Sequence, residues 1–166
     1  MRYAIVCCML VGVALAVACA AAGCREDADW TPPKPEPQDA QPPLPTTTIT
    51  VGEVALEVEV ADEETERARG YMFRDPPADG GMLFVFPDET GRRFIMTNVP
   101  FDIDLAFISA EGAVTQLVRM KAFSSREYPS RMPAKYALEV PAGWFRSHGV
   151  TEGTRVAIPA DVQAKD

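Results

Sequence analysis

The chain has 166 residues, with 16 Lys and Arg against 24 Asp and Glu and a formal net charge of -8. This length allows one domain of ordinary size with appendages and excludes two large domains. The negative charge argues against nucleic acid or anionic lipid as a partner, because such binding needs clustered Lys and Arg. The 15 prolines and 11 glycines favour short strands, turns and a linker over a helical bundle.

The N-terminal residues have the features of a bacterial secretory signal. Arg2 supplies a positive charge, residues 3–23 carry none, and small residues directly precede Cys24. Small residues followed by Cys resemble the lipobox of bacterial lipoproteins, in which a peptidase cuts before the Cys and that Cys carries the lipid. Ala21 stands where Leu is usual in that motif. The resemblance implies a lipoprotein-type signal peptide over residues 1–23 and lipidation of Cys24.

Two alternatives concern the same segment. Residues 16–19 have a similar pattern, which makes Cys19 the other candidate for lipidation, but the charged residues directly after Cys24 favour the later site. The run could also stay uncleaved as a membrane helix, since about 20 apolar residues span a bilayer, although an Ala-rich run inserts weakly. Every alternative exports the domain and tethers it to a bacterial membrane, on the periplasmic or the cell-surface side.

Composition divides the rest of the chain. All four cysteines lie within the first 24 residues, so the remainder can form no disulfide. Seven prolines between residues 31 and 45 favour extended polyproline II, which predicts a lipid-anchored Pro-rich linker over residues 24–45. We expect a globular β domain over residues 46–160 and a C-terminal tail over residues 161–166.

Short strand patterns follow one another through this domain. Apolar and polar residues alternate on both sides of Gly52, which predicts a pair of half-buried strands. Asp62 is expected to cap a short helix that ends at Gly70. The apolar run from Met82 to Phe86 predicts a buried strand that stops at Pro87.

Further strands are predicted at residues 93–97, 103–108, 113–120, 136–140 and 155–158, with a hairpin turn at residues 109–112 and a helical turn at residues 143–148. The sheet is expected to be largely antiparallel, since no stretch favours a parallel βαβ fold. The predicted fold class is mainly β: a single small antiparallel β sandwich or barrel with one or two short helices.

Five ordered sequence blocks stand out in the predicted domain: residues 70–74, 81–86, 94–98, 103–108 and 136–140 with Gly143. These blocks resemble those of the family named domain of unknown function 192. They match in order and spacing, and the resemblance covers roughly residues 49–158, nearly the whole globular part. The resemblance implies a compact, mainly antiparallel β fold without an established activity. Two departures are Ile95-Met96-Thr97-Asn98 where Trp-Met-Lys-Asn is common, and Tyr71 where Leu is usual.

Few side chains are available for catalysis. His148 is the only histidine, and no Cys follows Cys24, which excludes a Cys-His pair and a multi-His zinc site in the domain. His148 is expected at the surface, at the end of a helical turn. The sequence therefore predicts no catalytic residue, no metal and no cofactor.

Paired carboxylates are the main polar feature. Asp102 and Asp104 lie two residues apart, so on a strand they share one face. Such a pair can share a proton, bind a hard cation or act as acid and base. The favoured alternative is structural, with Asp102 capping the turn after Pro100 and Asp104 hydrogen-bonded to a neighbouring loop.

Glu139 lies between two apolar residues of a strand, which predicts that its side chain faces solvent. The family resemblance offers an alternative, in which Glu139 pairs with Arg74 or Arg131. Asn98 matches a family block and could instead hold a turn. The candidate binding residues are Arg74, Met96, Asn98, Asp102, Asp104 and Glu139.

Methionine thioethers suggest a second chemistry, because soft sulfur ligands suit Cu(I). Core filling is favoured instead, since no Met-x-x-Met cluster is present and two of the five lie in apolar runs. The methionines are Met72, Met82, Met96, Met120 and Met132.

The predicted function is that of a binding or accessory module of the cell envelope, with an unknown envelope ligand or protein as partner. One alternative is a carboxylate enzyme in which Asp102, Asp104, Asn98 and Arg74 converge on one pocket to act on a glycan. The other alternative is a Cu(I)-binding protein.

Overall fold

The computed structural model describes residues 40–165, and the predicted signal peptide, Cys24 and most of the predicted linker lie outside this range. Within it, strands and two short helices confirm the predicted mainly β fold. No cysteine lies in this range, so the described fold has no disulfide. The elements are β1 (Thr46–Val51), β2 (Val54–Ala61), α1 (Glu64–Arg69), β3 (Gly81–Thr90), β4 (Arg93–Phe94), β5 (Ile103–Ile108), β6 (Val114–Met120), β7 (Tyr128–Pro129), β8 (Ala134–Pro141), α2 (Trp144–Ser147) and β9 (Val156–Ala157).

Seven strands form one curled sheet in the order β6-β5-β8-β3-β2-β1-β9, and β4 pairs with β7 in a second, small sheet. The backbone of residues 112–114 bonds to residues 154–156, with an isolated bridge between Ala113 and Arg155. This contact brings the two edges of the sheet together at one end. The result is a half-barrel with β8 and β3 at its centre.

All pairings in the large sheet are antiparallel except one. β2 and β3 run parallel, with Val58 opposite Gly81 and Ala61 opposite Phe84. Residues 62–80 cross from the end of β2 to the start of β3, and α1 lies in this crossover. A parallel connection needs about a dozen residues or more but no long helix, which explains why the sequence pattern gave no indication of it.

The sheet is covered on both faces. One cluster fills the inside of the curl, where β-strand side chains meet α2 and the C-terminal residues Val156 and Val162. A second cluster lies on the other face of β3, β5 and β8, beneath the segments that carry Tyr71, Met96 and Val99. The central strands are therefore buried on both sides, and all six side chains of β5 are buried.

Three local predictions need correction. β3 does not stop at Pro87 but continues to Thr90 after a register shift, with exposed residues from Pro87 onward. Only Arg93 and Phe94 of the predicted strand at residues 93–97 are in a strand. The N-cap of α1 is Glu63, whose N–H donates to the Glu66 carboxylate, and Gly70 ends the helix as expected.

Contacts with the domain extend beyond residues 46–160 at both ends. The Gln41 amide donates to the Gly70 carbonyl at 2.7 Å and is buried. Leu44 and Val162 are also buried, and the Lys165 N–H donates to the Asp62 carbonyl at 3.1 Å. The last residues before β1 and the residues after β9 therefore pack on the domain.

In the described part of the chain, neither helix has the length and apolar character needed to cross a bilayer.

Candidate functional site

Glu139 is a buried acid at the centre of the sheet. It lies on β8 opposite Met82 of β3 and Leu105 of β5. Only 5% of the residue is exposed. Burial raises the pKa of the Glu139 carboxyl to about 8, with no compensating contact from another described group. The carboxyl is therefore largely protonated at neutral pH.

Both predictions for Glu139 are wrong. Its side chain does not face solvent, because the second core cluster covers that face of β8. It does not pair with the expected arginines either. Arg74 binds Glu59, and Arg131 binds Glu152.

Tyr71 places a second polar group in the same region. It follows Gly70 at the end of α1 and is 2% exposed, and its buried hydroxyl has no hydrogen-bond partner among the described residues. Burial raises the pKa of Tyr71, and the negative charges of Glu139 and Glu59 add to the increase. Buried polar groups are rarely left without a partner, so the unpaired Tyr71 hydroxyl, in the same region as the buried Glu139 carboxyl, indicates a place for a ligand or water.

Glu139 and Tyr71 lie at the inner end of a cleft between α1 and residues 91–95. Its volume is about 410 Å³, within the range of small-molecule sites. The walls are mainly apolar and aromatic, and Phe84 meets Phe94 edge to face with ring centroids 5.1 Å apart. The apolar wall residues include Met72, Phe84, Phe86, Phe94, Ile95 and Val99.

Four arginines also line the cleft, and all four are more exposed than Tyr71 and Glu139, which places them toward its mouth: Arg67, Arg69, Arg92 and Arg93. Arg92 lies over the Phe86 ring at 4.0 Å and donates to the Ala134 carbonyl and the Asp88 carboxylate. The Arg67 guanidinium lies 5.5 Å from the Phe86 centroid and donates to the Asp62 and Val85 carbonyls. The cleft is thus apolar along its walls, polar at its inner end and positively charged at its mouth.

Asp102 and Asp104 lie outside this cleft. Both are engaged by β6 and its following residues: Asp102 accepts from Lys121 Nζ at 2.7 Å and Ala122 N at 2.9 Å, while Asp104 accepts from the Arg119 guanidinium and from Gly143 N at 2.7 Å. The favoured structural role agrees with these contacts. The hydrogen bonds to Lys121 and Ala122 lower the pKa of Asp102, so neither proton sharing nor general acid chemistry is indicated there.

The other candidates are also dispersed. Arg74 makes a two-point ion pair with Glu59 and lies over the Tyr71 ring at 5.3 Å. Asn98 is an exposed residue with a positive φ of 60°, and its carbonyl accepts from Phe73 N. Met96 is fully buried in the core. The four groups of the predicted enzyme site therefore do not converge, and of the six candidates only Glu139 lines the cleft.

Most of the methionines considered as Cu(I) ligands lie in the core. Met82, Met96 and Met120 are fully buried in the core, as core filling predicts, while Met132 is exposed. One acidic cluster, Asp62 with Glu63 and Glu66, is compact enough to hold an ion. Its carboxylates already cap α1 and pair with Lys165.

His148 is a surface residue, as expected. It stacks on Trp144 with ring centroids 4.2 Å apart, and its Nδ1 lies 2.8 Å from the Trp144 carbonyl. These contacts fix the ring at the end of α2, where a His is ordinarily favourable.

Sequence reasoning missed Tyr71 and the arginine-lined mouth. Tyr71 stood out only as a departure from the family block, where its hydroxyl replaces an aliphatic side chain. The arginines come from α1 and from residues 92 and 93, which are separate in sequence and meet only through the crossover. No local pattern indicates that contact.

The family model of the domain of unknown function 192, described as "Uncharacterized ACR", matches residues 47–158. The UPF0127 protein of Pyrococcus abyssi is 33% identical over 103 residues, covering 60% of this chain and 83% of that protein. The UPF0127 protein of Pyrococcus furiosus is 32% identical over 106 residues, covering 63% and 88%.

Two crystal structures are similar to this fold. One is a protein of Sinorhizobium meliloti 1021 described as a candidate transcription regulator, with a TM-score of 0.67 and 27% identity, covering 70% of this chain and 96% of that one. The other is a protein of unknown function from Novosphingobium aromaticivorans DSM 12444, with a TM-score of 0.64 and 21% identity, covering 72% and 91%. The second likeness concerns the fold alone.

Proposed function

The chain belongs to the domain of unknown function 192 family, and from that premise we propose that it is a small-molecule binding module tethered to the bacterial cell envelope. The observation that supports binding is the cleft whose inner end holds the unpaired hydroxyl of Tyr71 and the buried carboxyl of Glu139. A ligand that hydrogen-bonds to both groups would remove the cost of leaving them unpaired. Binding sites commonly combine apolar walls with a few such polar groups.

The tether is supported by the sequence of residues 1–45. The lipobox-like residues before Cys24 and the Pro-rich segment after it suit a lipid anchor followed by a spacer. The contacts of Gln41 and Leu44 bring the chain onto the domain beside Gly70 and Glu59. The spacer thus enters the domain next to the helix that forms one wall of the cleft.

Thermal unfolding tests the binding proposal. The full chain in mild detergent is heated with a mixed library of acidic, neutral and basic small molecules, and the same is done for Ala68→Trp, which fills the cleft from α1. Thr65→Trp is the matched control, since Thr65 is an exposed residue of the same helix that does not line the cleft. A ligand of the native state raises the unfolding midpoint by mass action.

We expect at least one compound to raise the midpoint of the wild type and of Thr65→Trp but not of Ala68→Trp. If a compound stabilises all three proteins equally, it binds outside the cleft, which contradicts the proposal. A library without any stabilising compound also contradicts it.

Incorporation of a labelled fatty acid tests the tether. The label should enter the wild type and Cys19→Ser, and should be lost from Cys24→Ser. Retention in Cys24→Ser with loss in Cys19→Ser would move the lipidated residue to Cys19. A wild type without label would overturn the lipid anchor.

A further inference from the structure

Charge is distributed unevenly along the cleft. Its mouth is lined by four guanidinium groups, whereas its single carboxyl lies at the inner end and is largely protonated at neutral pH. Guanidinium groups bind carboxylates through paired hydrogen bonds. A ligand that fits this arrangement carries its negative charge at the outer end.

Two of the arginines are held in place and two are exposed. Arg67 and Arg92 donate to backbone carbonyls and lie against Phe86. Arg69 and Arg93 are exposed, and the Arg93 contact with Glu127 is 3.3 Å long between side chains that are both more than half exposed. Such a surface pair contributes little, so a ligand carboxylate can replace Glu127 at low cost.

The cleft walls indicate what the part of the ligand between its two ends is made of. Aromatic and aliphatic side chains line them, and apart from the four arginines the polar side chains that line the cleft are those of Glu139 and Tyr71. A sugar would leave most of its hydroxyls without partners against these walls, which costs free energy for each buried polar group. A flat apolar body fits the walls better, because it packs on Phe84, Phe86 and Phe94.

Resting on the binding role of this cleft, we propose that its ligand is a small organic acid with an aromatic body. Its carboxylate lies at the arginine mouth near Arg93, and a hydroxyl or carbonyl at its opposite end faces Tyr71 and Glu139. This inference selects an aromatic acid over the glycans that the sequence suggested as envelope substrates.

Probe molecules of similar size test whether the ligand is an aromatic acid. Calorimetric titration of the full chain in mild detergent uses 4-hydroxybenzoate, 4-hydroxybenzamide and 4-hydroxybenzylamine, which share a body and differ in charge. Benzoate lacks the inner hydroxyl, and glucuronate carries the acid on a polar body. We expect 4-hydroxybenzoate to bind at least about tenfold more tightly than its amide and amine, as a charge-assisted contact implies.

Variants of the protein test which residues contact each end of the ligand. Arg93→Gln should weaken 4-hydroxybenzoate, while Arg131→Gln should not, because Arg131 forms a similarly exposed pair with Glu152 away from the cleft. Tyr71→Phe should weaken 4-hydroxybenzoate and leave benzoate unchanged, since only the first has a hydroxyl to bond. A general folding defect would weaken both compounds equally.

Equal affinity for the acid, the amide and the amine overturns the proposed ligand class, as does tighter binding of glucuronate. Equal weakening by Arg93→Gln and Arg131→Gln also overturns it. In these cases the binding function still stands if Ala68→Trp abolishes binding and Thr65→Trp does not. Absence of binding by all five probes overturns the aromatic acid, and the function of the cleft is then decided by the mixed library.

Discussion

Glu139 lies directly opposite Leu105 in the antiparallel ladder between β5 and β8, so its carboxyl projects from one of the most buried parts of the sheet. The opposite face of the same strands carries Leu138 and Val140 in the other core cluster. An ionisable group in this position is costly to charge. Packing alone does not favour an acid at this position, whereas the cleft that Glu139 lines gives its carboxyl a place to meet a ligand.

Glu139 should make stability depend on pH. Its folded pKa of about 8 lies above the usual 4.5, so the folded state binds its proton more tightly than the unfolded state. The contribution of Glu139 to stability is then fully present below about pH 4.5 and is lost as the pH rises through about 8. The negative charge that Glu139 acquires in this range acts on the nearby Tyr71 hydroxyl, whose pKa is raised by Glu139 and Glu59 and lowered by Arg74.

Glu139→Gln should remove this dependence, because the amide does not titrate. The free energies of unfolding of the variant and the wild type are measured with urea between about pH 4.5 and pH 8. They should diverge in favour of the variant as the pH rises, by up to about 5 kcal/mol near pH 8. Glu152→Gln, at an exposed site, is the control. Parallel curves for Glu139→Gln and wild type would contradict the buried, protonated carboxyl.

The Arg74–Glu59 pair should contribute measurably to stability. Both side chains are about 15% exposed, and the guanidinium makes two hydrogen bonds to the carboxylate, at 2.9 and 2.6 Å. A double-mutant cycle with Arg74→Ala and Glu59→Ala should give a coupling of about 1–3 kcal/mol. The exposed pair of Arg131 and Glu152 should give less than about 1 kcal/mol. Equal coupling energies for the two pairs would show that burial does not strengthen the ion pair between Arg74 and Glu59.

Gly81 is required by the close approach of β3 to β8. A Cβ at this position would clash with the Glu139 carbonyl oxygen and lie 3.0 Å from Val140 Cγ1. Gly81→Ala should therefore separate the two central strands and cost about 1–3 kcal/mol, as overpacking does. Gly91→Ala is the control, since nothing lies within 4 Å of its added Cβ. Chemical denaturation of both variants checks this, and a similar small loss in each would contradict the argument.

Gln41 should stabilise the start of the domain although it lies in the predicted linker. Its buried amide donates to the Gly70 carbonyl at 2.7 Å and to the Glu66 carbonyl at 3.3 Å, so it satisfies the end of α1. Gln41→Ala should lower the free energy of unfolding by about 1 kcal/mol. Gln163→Ala removes an exposed hydrogen bond from the Gln163 amide to the Ala160 carbonyl, 3.0 Å long, and should have a smaller effect. Unchanged stability in Gln41→Ala would show that this contact does not hold the segment.

Local patterns in the sequence determined most of the strands. Alternation on both sides of Gly52 identified β1 and β2, and the strand at residues 103–108 is found at those bounds. The turn at residues 109–112 also forms as predicted, with Gly112 N donating to the Ser109 carbonyl. These features depend on neighbours in the chain, which is why the sequence alone indicates them.

The burial of Glu139, the cleft above it and the parallel pairing of β2 with β3 were decided only by tertiary structure. Alternation along β8 shows that Glu139 and Leu138 face opposite sides, but it does not show whether the second side is covered. That cover comes from the crossover between β2 and β3, which carries Tyr71, and from the residues around Met96 and Val99 after β3. Side-chain direction is a local property of the backbone, whereas burial depends on which distant segment packs above it.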